Sequence, residues 1–70
     1  MAAVLSRNIA MPEQLAGSFH TFGPSGPAYQ VRKAVHALAG GDWLMEIEVL
    51  TSGEVLEYKA SEIDRDPVAA

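Results

Sequence analysis

Seventy residues with five Lys and Arg against nine Asp and Glu, a net charge of −4, a hydrophobic fraction of 49% and no cysteine describe one small domain without room for a second. That charge balance does not make the continuous basic stripe that phosphate recognition needs, so nucleic acid is disfavoured as a partner; no run nears the roughly 18 apolar residues of a membrane span. The missing cysteines exclude a disulfide scaffold, which leaves close packing or self-association to stabilise so short a chain, and a homodimer is an expectation from the outset.

Residues 1–8 show no sustained period and are expected to be a flexible tail, followed by a single β domain over 9–67 and a flexible C-terminus at 68–70. The apolar start, Met1 to Leu5, is too short for a secretory core and Arg7 follows it instead of preceding it, so a cytoplasmic location is expected. Pro12 suits the first position of a helix, Glu13 and Gln14 suit its positive end and Gly17 its exit, which predicts about one turn over 12–16. Residues 18–22 then alternate as a strand. Two Gly-Pro steps in 23–27 disfavour helix and form a rigid loop. A strand over 28–36 carries Tyr29, Val31 and Val35, and Gly40-Gly41-Asp42 reverses the chain. The clearest strand is 42–50, with Trp43, Met45, Ile47 and Val49 on one face and Leu44, Glu46, Glu48 and Leu50 on the other. Ser52-Gly53 reads as a two-residue turn into a strand over 54–60, after which Ser61 caps a short turn to Asp64 that returns Ile63 to the sheet before Asp66-Pro67.

The turns predict a register. Val49 faces Leu56, Ile47 faces Tyr58 and Met45 faces Ala60 on an inner apolar surface, while Leu50 faces Val55, Glu48 faces Glu57 and Glu46 faces Lys59 outside. With His36 opposite Asp42, the preceding strand sets Val31 by Ile47, Tyr29 by Val49, Val35 by Trp43 and Arg32 beside Glu46. Lys33 then intrudes on the inner face and must sit at the rim, snorkel or mark a bulge. The predicted fold is mainly β: a strongly twisted four-stranded antiparallel sheet, or a small open barrel, with short helical turns near both ends.

The residues supply little chemistry. His20 and His36 lack metal-ligand spacing and read as surface or sheet-edge histidines. Ser25 sits in a Gly-Pro loop that has neither the glycine spacing of a nucleophile elbow nor the Lys-Ser or Lys-Thr of a phosphate loop, so it reads as a turn. Glu46, Glu48 and Glu57 share an open outer surface where carboxylates stay solvated, and their crowding calls for a cation nearby, Arg32 or Lys59 or one from a partner. No catalytic, cofactor or metal residue emerges. Leu44, Leu50 and Val55 stand among these charges at positions where a solvated sheet places polar groups, so they are expected either to be covered by the chain ends or to anchor a protein interface rimmed by Arg32, Glu46, Glu48 and Glu57. The expected function is thus a non-enzymatic interaction module that self-associates or binds a protein partner. The alternative is a small nucleic-acid or nucleotide-binding barrel using Phe19, Phe22 or Tyr29 beside Arg32 and Lys33.

Gly17-Ser-Phe-His-Thr-Phe-Gly-Pro-Ser-Gly-Pro-Ala-Tyr-Gln-Val, Gly41-Asp-Trp-Leu-Met-Glu-Ile-Glu-Val, Ser52-Gly-Glu-Val-Leu-Glu-Tyr and Asp66-Pro67 together resemble a family of small uncharacterised proteobacterial proteins over about residues 9–68. That resemblance implies no activity and transfers no functional residue. The 58–67 ending also resembles small β-domain antitoxins, which implies a protein partner.

Overall fold

The computed structural model describes residues 12–69; the expected tail at 1–8 lies outside them. In chain order the elements are α1 (Pro12–Leu15), β1 (Phe19–Thr21), β2 (Ala28–Ala37), a 3-10 turn (Ala39–Gly41), β3 (Trp43–Val49), β4 (Val55–Lys59) and α2 (Ala60–Arg65). The strands form one open antiparallel sheet in the order β1-β2-β3-β4, not a closed barrel. Both helices pack on the same face. Leu15 from α1 and Ala60 and Ile63 from α2 join Tyr29, Val31, Met45 and Ile47 in the core, with Phe22, Trp43 and Tyr58 packed against it. Ile63 thus returns to the sheet as its spacing predicts.

β2 and β3 hold the predicted register at first, Tyr29 with Val49 and Val31 with Ile47, and then shift twice, leaving Arg32 and Val35 outside the ladder. The first bulge settles the three readings open for Lys33: an extra residue turns Lys33 outward opposite Glu46 and brings Ala34 opposite Met45. The second overturns two pairings, since His36 meets Leu44 instead of Asp42, and Ala37 takes the place beside Trp43 expected for Val35, which stands 40% exposed.

The β3–β4 connection also departs from expectation. Its loop is four residues, Leu50 to Gly53, closed by the Gly53 amide donating to the Val49 carbonyl at 2.7 Å and the Val49 amide to the Glu54 carbonyl at 2.8 Å. Gly53 takes φ +73°, a conformation side chains resist. The ladder therefore slips by two: Glu48 meets Val55, Ile47 meets Leu56, Glu46 meets Glu57, Met45 meets Tyr58 and Leu44 meets Lys59. The predicted pairs of Val49 with Leu56, Ile47 with Tyr58, Met45 with Ala60, Leu50 with Val55, Glu48 with Glu57 and Glu46 with Lys59 are all displaced, yet the strand side chains keep their predicted faces, because two residues are one full period of a strand.

Two aspartates tie the ends down. Ser61 does not cap α2 with its own side chain; instead its amide and hydroxyl donate to the Asp42 carboxylate at 3.0 and 2.6 Å, so the helix start is held from the β2–β3 connection. Asp66 accepts the Tyr29 hydroxyl at 2.6 Å, the Tyr58 hydroxyl at 3.1 Å and the Gly23 amide at 3.3 Å. Beyond it the backbone runs along β1: the Thr21 amide donates to the Pro67 carbonyl, Val68 bridges His20, and the Ala69 amide donates to the Phe19 carbonyl. Residues 68 and 69, expected as a loose end, are hydrogen-bonded to the sheet. The Gly-Pro loop is a structural turn, the Phe22 amide donating to the Pro27 carbonyl, and a β-carbon at Gly26 would fall 2.0 Å from the Phe22 carbonyl oxygen.

Candidate functional site

The charged part of the outer face is built from three transverse rows set by strand pairing. Phe19, Gln30, Glu48 and Val55 form one; Lys33, Glu46 and Glu57 the next; His36, Leu44 and Lys59 the third. Arg32, released from the ladder by the bulge, spans the first two rows, its Nε 3.1 Å from Glu46 Oε2 and its Nη1 2.8 Å from Glu48 Oε1. The cation that the carboxylate crowding calls for is therefore Arg32. The directly opposed pair of carboxylates is Glu46 with Glu57, in place of the expected Glu48 with Glu57. Each exposed ion pair of this kind contributes about 0–1 kcal/mol, so the arrangement positions charge more than it stabilises the fold. An open depression of about 280 Å³ lies alongside, lined by Gly17, Gln30, Val31, Arg32, Lys33 and Glu46.

The three expected anchors are all on the outer side, but they do not make one patch. Val55 is 54% exposed at the start of β4 and Leu50 47% exposed in the adjoining loop. Leu44 lies two rows away, about 13 Å along the strand, with Glu46 and Glu57 between. The described chain ends do not cover them: Leu15 and Ile63 are both in the core on the other face.

The aromatic platform of a nucleic-acid reader is not assembled. Tyr29 is fully buried with its hydroxyl on Asp66, and Phe22 packs on Tyr29 and Tyr58 with ring centroids 4.5 and 5.4 Å away; only Phe19 faces outward. Among the described residues no group of three His, Asp or Glu is placed to hold a metal ion, and no helix is long and apolar enough to cross a membrane.

Several polar residues with structural roles went unread in the sequence. His20, read as a surface or sheet-edge histidine, does lie on the edge strand but is 5% exposed and stacks on Tyr29. The one hydroxyl proton of Ser18 goes to the Leu15 carbonyl, so His20 Nε2 donates to Ser18 Oγ at 2.9 Å, and its Nδ1 is buried without a partner among the described residues. Asp66 reads only as a chain terminator; the available signal was that two tyrosines aimed inward need an acceptor for their hydroxyls.

Comparison with family models matches residues 7–70 to a family of unknown function, DUF5397. The chain belongs to that family. A comparison with curated proteins finds no match. The family match agrees with the expectation of a small protein whose relatives carry no assigned activity, and it assigns no residue of the outer face.

Proposed function

We propose that this chain is a non-enzymatic, cytoplasmic interaction module whose open sheet face docks a protein surface, either its own or a partner's, in a regulatory or antitoxin-like role. One observation carries the reading. Both helices lie on one side of the sheet, and the opposite side holds Leu44, Leu50 and Val55 among Arg32, Glu46, Glu48 and Glu57. Exposed apolar side chains interspersed with charge suit a modest protein contact, where the apolar groups supply affinity and the charges fix orientation.

A photoreactive residue at position 55 tests this. It is expected to yield one discrete protein adduct in cells, lost on Leu44→Asp or Leu50→Asp, whereas the same probe at position 62 on α2 yields none. Equal labelling from both positions, or an adduct indifferent to both substitutions, overturns the reading.

A further inference from the structure

The sheet ends differently at its two margins. Beside β1 the C-terminal segment is hydrogen-bonded through Pro67 and Ala69, whereas β4 stands last in the strand order with nothing bonded to its far side among the described residues. The Val49 amide on the Glu54 carbonyl fixes which groups of β4 point which way. Hydrogen-bonded pairs alternate along an antiparallel ladder, so Leu56 and Tyr58 bond to β3, while the amides and carbonyls of Val55 and Glu57 and the Lys59 amide project outward. The Lys59 carbonyl faces the first turn of α2. β4 has no proline, no bulge and no charge aimed at the core, the devices that keep a sheet edge from pairing. Leu56, on the inner face opposite Ile47, is still 37% exposed at this margin.

We infer that the β4 edge takes up an extended segment of another protein as an added antiparallel strand, one whose side chains read acidic, any, basic, apolar, apolar. The inference concerns the edge and does not depend on docking at the outer face. The free main-chain groups call for an extended backbone, which presents amides and carbonyls at the matching spacing. Glu57 and Lys59 then select the side chains. Both are exposed on the outer side and form no ion pair among the described residues. Like charges would repel any newcomer, but these have opposite sign. They favour a strand with a base across from Glu57 and an acid two residues before it, across from Lys59. Apolar residues follow, across from Leu56 and Val55. Within this chain the one place where a base stands two residues after an acid is Glu57 and Lys59 themselves. A second β4 does not serve. Centred on Glu57 it sets Glu57 on Glu57, and pairing Val55 with Glu57 leaves Lys59 unmatched. Pairing Glu57 with Lys59 balances the charges but needs Ala60 and Ser61 across from Leu56 and Val55, where the chain has already turned into α2 and is held by Asp42.

A capped peptide with the order Glu-Thr-Lys-Val-Val between flanking threonines tests this, titrated into the isotopically labelled full chain while its amide resonances are followed. The Val55, Glu57 and Lys59 amide signals are expected to move downfield and saturate, with those of Leu56 and Tyr58 moving less. N-methylation of the peptide's lysine, whose amide faces β4, should abolish binding. The same change on the next residue, whose amide faces away, should leave binding in place. Exchanging Glu and Lys in the peptide should weaken binding about tenfold, because two cross-strand attractions become repulsions. The double variant Glu57→Lys with Lys59→Glu, which alters exposed side chains alone, should prefer the exchanged peptide by a similar factor, its spectrum showing that the fold is kept. The absence of a saturable shift at the β4 amides up to millimolar peptide overturns the inference. So does equal binding of the two peptides to the wild-type chain, or indifference to which amide is methylated.

Discussion

The two faces of one sheet use the same strands differently. On the inner face Tyr29, Val31, Met45, Ile47 and Ile63 are fully buried, and their polar atoms find partners inside the chain, as the two tyrosine hydroxyls do on Asp66. On the outer face the side chains alternate charge with isolated apolar groups, and Lys33, Glu57 and Lys59 form no ion pair among the described residues. The contrast teaches that stability is concentrated on one side, and that the other is free to vary without cost to the fold.

Truncation gives the largest test of that contrast. Ile63→Ala should cost about 2–5 kcal/mol by opening a cavity under α2, enough to unfold much of a domain this small, while Val55→Ala should stay within about 0.5 kcal/mol. Urea unfolding of the two variants checks this, and comparable losses would erase the distinction between the faces.

The Asp66 cluster sharpens the comparison within the inner face. Asp66→Ala strands two hydroxyls and should cost about 1–3 kcal/mol, part of it recovered when Tyr29→Phe is added, as a double-mutant cycle would show. Burial first, then the hydrogen bond to Asp66 and its charge, push the Tyr58 hydroxyl up to about 12 and raise Tyr29 in the same direction. The folded state thus holds these protons more tightly than the unfolded chain, whose tyrosines titrate near 10. Their contribution is full below about pH 10 and is lost as pH climbs toward 12 and beyond, so tyrosinate absorbance should rise together with unfolding.

A smaller effect belongs to Asp42. Burial raises its pKa, but hydrogen bonds from the Ser61 hydroxyl and from the Trp43 and Ser61 amides, with Lys59 nearby, outweigh that and hold the carboxyl below its ordinary range. A lowered folded value means stability that is present above the unfolded carboxylate pKa, near 3.9, and lost as pH falls through the folded one. Asp42→Ala should therefore cost about 0.5–2 kcal/mol at neutral pH, in the range of a lost helix cap, and flatten the acid limb of stability against pH.

Alternation was enough to assign inner and outer faces of β3 and β4, where the odd positions 43–49 and the even positions 56–60 share the core side; in β2 it failed past Val31, and of the three readings open for Lys33 the bulge is the one found. The same alternation cannot count turn residues, because a slip of two preserves every face; only the geometry around Gly53 distinguishes a four-residue loop from a two-residue one. Arg32 near Glu46 was legible because both lie in adjoining strands. The roles of Asp42, Asp66 and His20 were not, since each depends on contacts between segments that no local pattern links. Of the candidate face, its residues were legible but not its rows, which required the corrected register.

The backbone bonds that Pro67 and Ala69 make to Thr21 and Phe19 have a further consequence. They occupy the outward Thr21 amide and Phe19 carbonyl of β1, so the C-terminal segment covers that edge, while the bulges at Arg32 and Val35 distort the exposed half of β2. The margin of the sheet that neither the C-terminal segment nor a bulge covers, among the described residues, is β4.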